Sequence, residues 1–218
     1  MIIRRNPHFL ANQLFFLSYV FYFLVGLSIF TYNMYPLRPV IEVFIRLALS
    51  SSCYAACFLY LGTRVVFLSS SEVNKKLIIT LLLIATGISI TIIFWPNLVE
   101  KVSIEPPVNN VVNQLALLIP MVWQMILVFS VNTTLMRLRR EMINTLEKEG
   151  KRGDKPLELK KIEWVMTAHW IGVIGIILLL IGNAAGMPEG DFLLYLMSSI
   201  DFMLTAYALL KREGMKKS

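Results

Sequence analysis

The run FLANQLFFLSYVFYFLVGLSIF, residues 9–30, contains 22 residues and no charge. As a helix rising 1.5 Å per residue it would reach about 33 Å, enough to cross a hydrocarbon core of roughly 30 Å. It follows Met-Ile-Ile-Arg-Arg and so imitates a secretory signal. Signal cores, however, run to about 7–15 apolar residues, and no small-x-small cleavage site follows, so the run reads as a first membrane span.

Five more weakly charged runs follow at 40–61, 77–98, 111–136, 165–187 and 192–210. They are too long and too uniformly apolar for barrel strands, and lipid offers no partner for an open backbone, so helices are the answer. The expected fold is all-α: a polytopic transmembrane bundle of six spans, with residues 1–218 forming a single transmembrane domain. The composition agrees, since 56% of the 218 residues are hydrophobic and 16% charged, against about 25% charged in a soluble domain. Mean hydropathy is +0.66. Six spans leave no room for a separate soluble catalytic domain.

Arg4, Arg5, Arg64, Lys75, Lys76, nine basic residues between 137 and 161, and Lys211, Arg212, Lys216 and Lys217 would all share one side, 18 of the 21 lysines and arginines. The positive-inside rule then places both termini in the cytoplasm of a multi-pass protein of the cell membrane. The net charge of +7 reads as topology rather than as a nucleic-acid footprint. Tyr32, Tyr35, Trp95 and Trp164 fall at span boundaries, where aromatic rings anchor at the interface. Cys53 and Cys57 lie one helical turn apart, a spacing that argues against a bridge, and read as small apolar packing residues.

Ser69 and Glu72 form a capping box for the third helix, which Pro96 and Asn97 close. Pro120 should kink the fourth. Leu135, Leu138, Met142 and Leu146 keep helical spacing past the fourth span, with Arg137 and Glu141 four apart, and Gly150 is a reasonable stop. Asp154 and Pro156 can open the fifth helix before the bilayer begins. The two helices would project as a basic hairpin over 137–161, with nine basic and five acidic residues. It reads either as a solvated arm facing anionic lipid headgroups or as a dock for a cytoplasmic protein partner.

Glu42, Arg46, His169 and Asp201 are the ionisable residues at membrane depth, where such groups are costly. Asp201 is tenth of the 19 residues of its span, out of snorkelling reach, so it must be neutral or paired. Arg46 lies roughly 8 Å below its helix edge and Asp201 roughly 14 Å below its own, a difference that an extended arginine spans. This predicts an Arg46–Asp201 ion pair with Glu42 as a second partner, either a structural clamp or part of an ion, proton or ligand path.

His169 is a packing histidine or a proton relay. Gln124, at mid-depth, is an interhelical hydrogen bonder or lines a cavity. Gly182 and Gly186 form a small-xxx-small step. Two histidines, His8 and His169, make no convincing haem or metal site, and no nucleophile elbow, zinc-helix motif or phosphate loop occurs. No catalytic residue, metal or cofactor is expected.

From residue 178 the chain reads LLLIGNAAGMPEGDFLLYLMSSIDFMLTAYALLKR, which resembles the end of microbial rhodopsins. A penultimate helix ends in Ile-Gly, a short outer turn follows, and a helix with a mid-membrane aspartate exits at a basic pair. The resemblance implies a rhodopsin-like bundle in which Asp201 is the counterion of the last helix and Arg46 its partner. Thr205 stands where the family carries its retinal lysine, Leu49 where it carries a proton-accepting carboxylate, and six spans stand where it has seven. The implied protein binds no retinal covalently and pumps no protons by the familiar route.

These readings converge on a non-enzymatic membrane protein acting as a sensor or partner-docking module through the basic hairpin. The alternative is a small-solute or ion/proton transporter using the Arg46–Asp201 pair, with Glu42, His169, Gln124 and Thr205 as accessories.

Overall fold

The computed structural model describes residues 10–68, 73–102, 110–148, 156–187 and, near the C-terminus, 197, 200, 201, 203–205, 207 and 208. Helices α1 (Leu10–Met34), α2 (Arg38–Phe67) and α3 (Lys75–Ile93) lead into strands β1 (Val99–Val102) and β2 (Asn110–Val112). Helices α4 (Gln114–Lys148) and α5 (Leu157–Ala185) follow. The described residues between 197 and 208 are also helical. Five helices among the described residues are long and apolar enough to cross a membrane. The sixth expected span, 192–210, falls partly outside the described residues.

Local chemistry sets the helix limits. Pro39 sits in the first turn of α2, where its missing N–H costs nothing. Asn74 begins α3, its side chain accepting from Leu77 N at 2.8 Å. The expected box Ser69–Glu72 lies outside the described residues, and α3 starts later than it would dictate. Asn113 caps α4 by accepting from Ala116 N, and Pro120 is buried inside that helix. Extended Pro156 precedes α5 as the sequence predicts.

Gly186 departs from expectation. It is the left-handed C-cap of α5 at φ 67° rather than half of a packing step, and Met187 N bonds back to Gly182 O at 2.8 Å.

Helix α2 is the hub. It packs against α1, α3 and α4, and α4 packs against α5. In their most apolar windows, 61% of α2 is buried against 22% of α1 and α3. Two apolar clusters stack along the bundle. One joins the start of α1, the end of α2, the start of α3 and the second half of α4 around Phe15, Leu61, Leu81 and Leu135. The other joins the opposite ends of the same helices around Tyr32, Ile45, Ile92 and Met121. This pairing of starts with ends describes an up-and-down bundle.

Side chains are distributed as in a membrane bundle. Phe23, Phe30, Leu83, Phe94, Ile126 and Ile181 are exposed, while Ser18, Ser51, Thr63, Asn132, His169 and Asp201 are buried. A soluble protein would reverse this pattern, whereas lipid accepts it.

The strands correct the expectation of an exclusively α chain. β1 and β2 pair antiparallel with Val99 opposite Val112, Lys101 opposite Val111, and an irregularity between Val99 and Lys101. Residues 111 and 112, read as the start of a span, belong to β2, and α4 starts at Gln114. Their β-branched side chains suit a strand as well as an apolar helix.

Candidate functional site

Arg46 occupies the turn of α2 that faces the end of α3. Its Nη1 donates to Ile92 O and Ile93 O, each at 2.7 Å, and its Nη2 donates to Trp95 O at 3.0 Å. The last carbonyls of a helix have no partner within it and carry the negative end of the helix dipole. A planar guanidinium with five donors satisfies several of them at once.

The Arg46–Asp201 pair expected from depth and from the resemblance is therefore not formed among the described residues. Glu42 is not a partner of Arg46 either. It accepts from Arg38 Nε at 3.0 Å across one exposed turn of α2. Depth gave each residue the reach for the expected pair, but the direction each faces around its helix sends it elsewhere.

Asp201 is buried, 8% exposed. Its Oδ1 accepts from Thr205 Oγ1, one turn along, at 3.3 Å. Its Oδ2 lies 2.7 Å from the place a Cβ on Gly172 of α5 would occupy. Tyr22 of α1 is within electrostatic range of the carboxyl. The last helical segment thus brings Asp201 against α5. Trp164 of α5 meets Tyr207 edge-on at 5.8 Å.

His169 turns toward α4 instead of Asp201. A 3.0 Å hydrogen bond joins its Nδ1 to Asn132 Oδ1, with the two residues 2% and 1% exposed. The amide nitrogen of Asn132 has no hydrogen-bond partner among the described residues. His169 makes an interhelical polar contact, and Asn132 supplies the half that the sequence did not single out.

Gln124 is not among the residues lining the cavity described at the β-hairpin end of the bundle. Its Nε2 donates to Ser52 Oγ at 2.9 Å, and Ser52 lines a cavity of about 70 Å³ near the β-hairpin end. Val25, Tyr32, Leu49, Met121 and Asn183 are among the other walls. Tyr32 is buried there at 4% exposure, not set at the interface as its boundary position implied.

Asn183 was missed by the sequence reading, although an asparagine in the apolar end of α5 was the available signal. Its Oδ1 accepts from Val112 N at 2.9 Å, and its Nδ2 donates to Val112 O at 2.8 Å and to Gln114 Oε1 at 2.7 Å. It pairs with β2 as a neighbouring strand would, fastening the hairpin to α5.

At the opposite end, α4 runs for 35 residues, about 52 Å, well beyond a bilayer's hydrocarbon core. Leu138, Met142 and Met166 pack onto the core cluster that holds Leu135, Ile162 and Val165. Arg139 Nε reaches Glu163 Oε1 at 3.1 Å between α4 and α5. Arg137 and Glu141 form the expected i,i+4 pair at 2.9 Å on the exposed face. The turn of the hairpin, including Gly150 and Asp154, lies outside the described residues.

No family model matches the chain, and neither the curated proteins nor the solved structures contain a match.

Proposed function

We propose that the chain is a non-enzymatic, multi-pass protein of the cell membrane, with both termini in the cytoplasm, that docks anionic headgroups or an acidic protein through its basic arm. One observation carries this reading: α4 and α5 continue as a packed pair beyond the apolar runs. The pair is held by Leu138, Met142 and the Arg139–Glu163 bridge, while Arg137, Arg140, Lys148 and Lys160 remain exposed. Basic side chains held on a packed scaffold lose less freedom on binding than those on a loose loop. The distribution of lysine and arginine supports a cytoplasmic arm.

The alternative, a small-solute or ion/proton transporter working through an Arg46–Asp201 pair, is weaker because those side chains engage other partners.

A variant with Arg137, Arg140, Lys148 and Lys160 all changed to glutamine, and Arg139 kept, tests the proposal. Each basic residue near an anionic surface is worth about 1 kcal/mol. The lipid or protein that copurifies in mild detergent is expected to fall at least tenfold with an unchanged unfolding temperature. An unchanged copurifying set overturns the proposal.

A further inference from the structure

Asp201 plays no part in the docking reading, and its surroundings indicate a separate task. A buried carboxylate is sustained by a cation or by several donors, and otherwise by keeping its proton. The three arginines of α2 are committed elsewhere. Arg46 binds the end of α3, Arg38 binds Glu42, and Arg64 Nη1 donates to the Tyr60 hydroxyl.

Among the described residues, no lysine, arginine or histidine pairs with Asp201, and Thr205 is the one group donating to it, at 3.3 Å. On α1, Tyr22 is a titratable group within electrostatic range of it. On α5 the facing residue is Gly172, which has no side chain, and His169 lies one turn away, bonded to Asn132 of α4. Oδ2 rests against the α5 backbone, 2.7 Å from the Gly172 Cβ position, a contact that leaves no space on that side for a solvating water.

We propose that Asp201, seated between Gly172 and Thr205, is an intramembrane proton-binding site, and that the bound proton allows the last helical segment to sit on α5. On release, the O–H bond breaks, its electron pair stays on the carboxylate, and the proton passes to water. The anion then needs hydration that the contact with Gly172 denies, so the segment lifts from α5 and the Trp164–Tyr207 contact opens.

Dicyclohexylcarbodiimide tests the site, because it adds to a protonated carboxyl. The acid proton moves to a carbodiimide nitrogen, the carboxyl oxygen bonds the central carbon, and rearrangement leaves a stable N-acylurea. The full-length protein in lipid nanodiscs at neutral pH is labelled and its peptides are read by mass spectrometry. The infrared carbonyl band of a protonated carboxyl is recorded on unlabelled protein, so that an inaccessible reagent is not mistaken for an ionised group.

The expected result is an adduct on Asp201 at least tenfold above that on Glu42, and an infrared band lost in Asp201→Asn. Should that variant fail to fold, Thr205→Val is the second test. It removes a donor that favours the anion, so adduct and band are expected to persist. Absence of both adduct and band from the wild-type protein, or their loss in Thr205→Val, overturns the proposal.

Discussion

Oδ2 of the Asp201 carboxyl lies 2.7 Å from the position a Cβ on Gly172 would occupy. The polar centre of the last helical segment therefore rests on bare backbone of α5, and a glycine alone permits that approach.

Gly172→Ala is expected to push the two elements apart. Overpacking of this kind typically costs about 1–3 kcal/mol, read as a lower unfolding temperature in detergent. Gly26 and Gly87 have open space around the same position. Alanine there should be neutral or gain about 0.5–1 kcal/mol from helix propensity. Equal behaviour of Gly172→Ala and Gly87→Ala would show the contact to be unimportant.

Arg46→Gln removes the charge and most of the fork that closes α3. With the carbonyls of Ile92, Ile93 and Trp95 losing their donor, the cost should be about 1.5–3 kcal/mol. Amide exchange should quicken in the last turn of α3 and in the β-hairpin. Arg46→Lys keeps the charge without the planar donors and should fall between the two.

Asn183→Leu leaves both backbone groups of Val112 without their side-chain partner. Hydrogen exchange is expected to show faster loss of protection at 110–112, while α2 keeps its own. The accompanying loss of stability should be about 1–3 kcal/mol. Unchanged exchange at Val112 would mean that the strands hold to each other without α5.

Asn132 and His169 form a buried two-membered polar contact between α4 and α5. Replacing one strands the other, whereas replacing both with apolar groups of similar shape is nearly neutral. Unfolding of Asn132→Leu, His169→Phe and the double variant should give a double variant more stable than either single. Additive losses would exclude that coupling.

Much of the bundle is legible in the sequence because lipid forces long apolar runs into helices, and charge-free lengths are easily counted. The basic hairpin is legible for a related reason: Leu135, Leu138 and Met142 keep a helical period beyond the apolar run. The candidate site is less legible, because a sequence gives depth along a helix but not the direction a residue faces in the assembled bundle. Arg46 had the reach for Asp201, yet the unpaired carbonyls at the end of α3 offered a closer set of acceptors. The β-hairpin was hidden because Val99, Val111 and Val112 raise apolarity without specifying a period. Asn183 stood out as a polar residue in an apolar run, but its partners, the Val112 backbone and the Gln114 side chain, lie about 70 residues away and could not be read from its residue type.

The crossing of the membrane, with the arm on one side and the β-hairpin on the other, is tested most directly by single-cysteine accessibility. Cys53 and Cys57, both buried and free, are replaced by serine. Cysteine is then introduced at Asn144 on the arm or at Asn97 beside the hairpin, and a membrane-impermeant thiol reagent is added to sealed vesicles. The account predicts that position 144 labels in inside-out vesicles alone and position 97 in right-side-out vesicles alone. Labelling of both positions from the same side would contradict it.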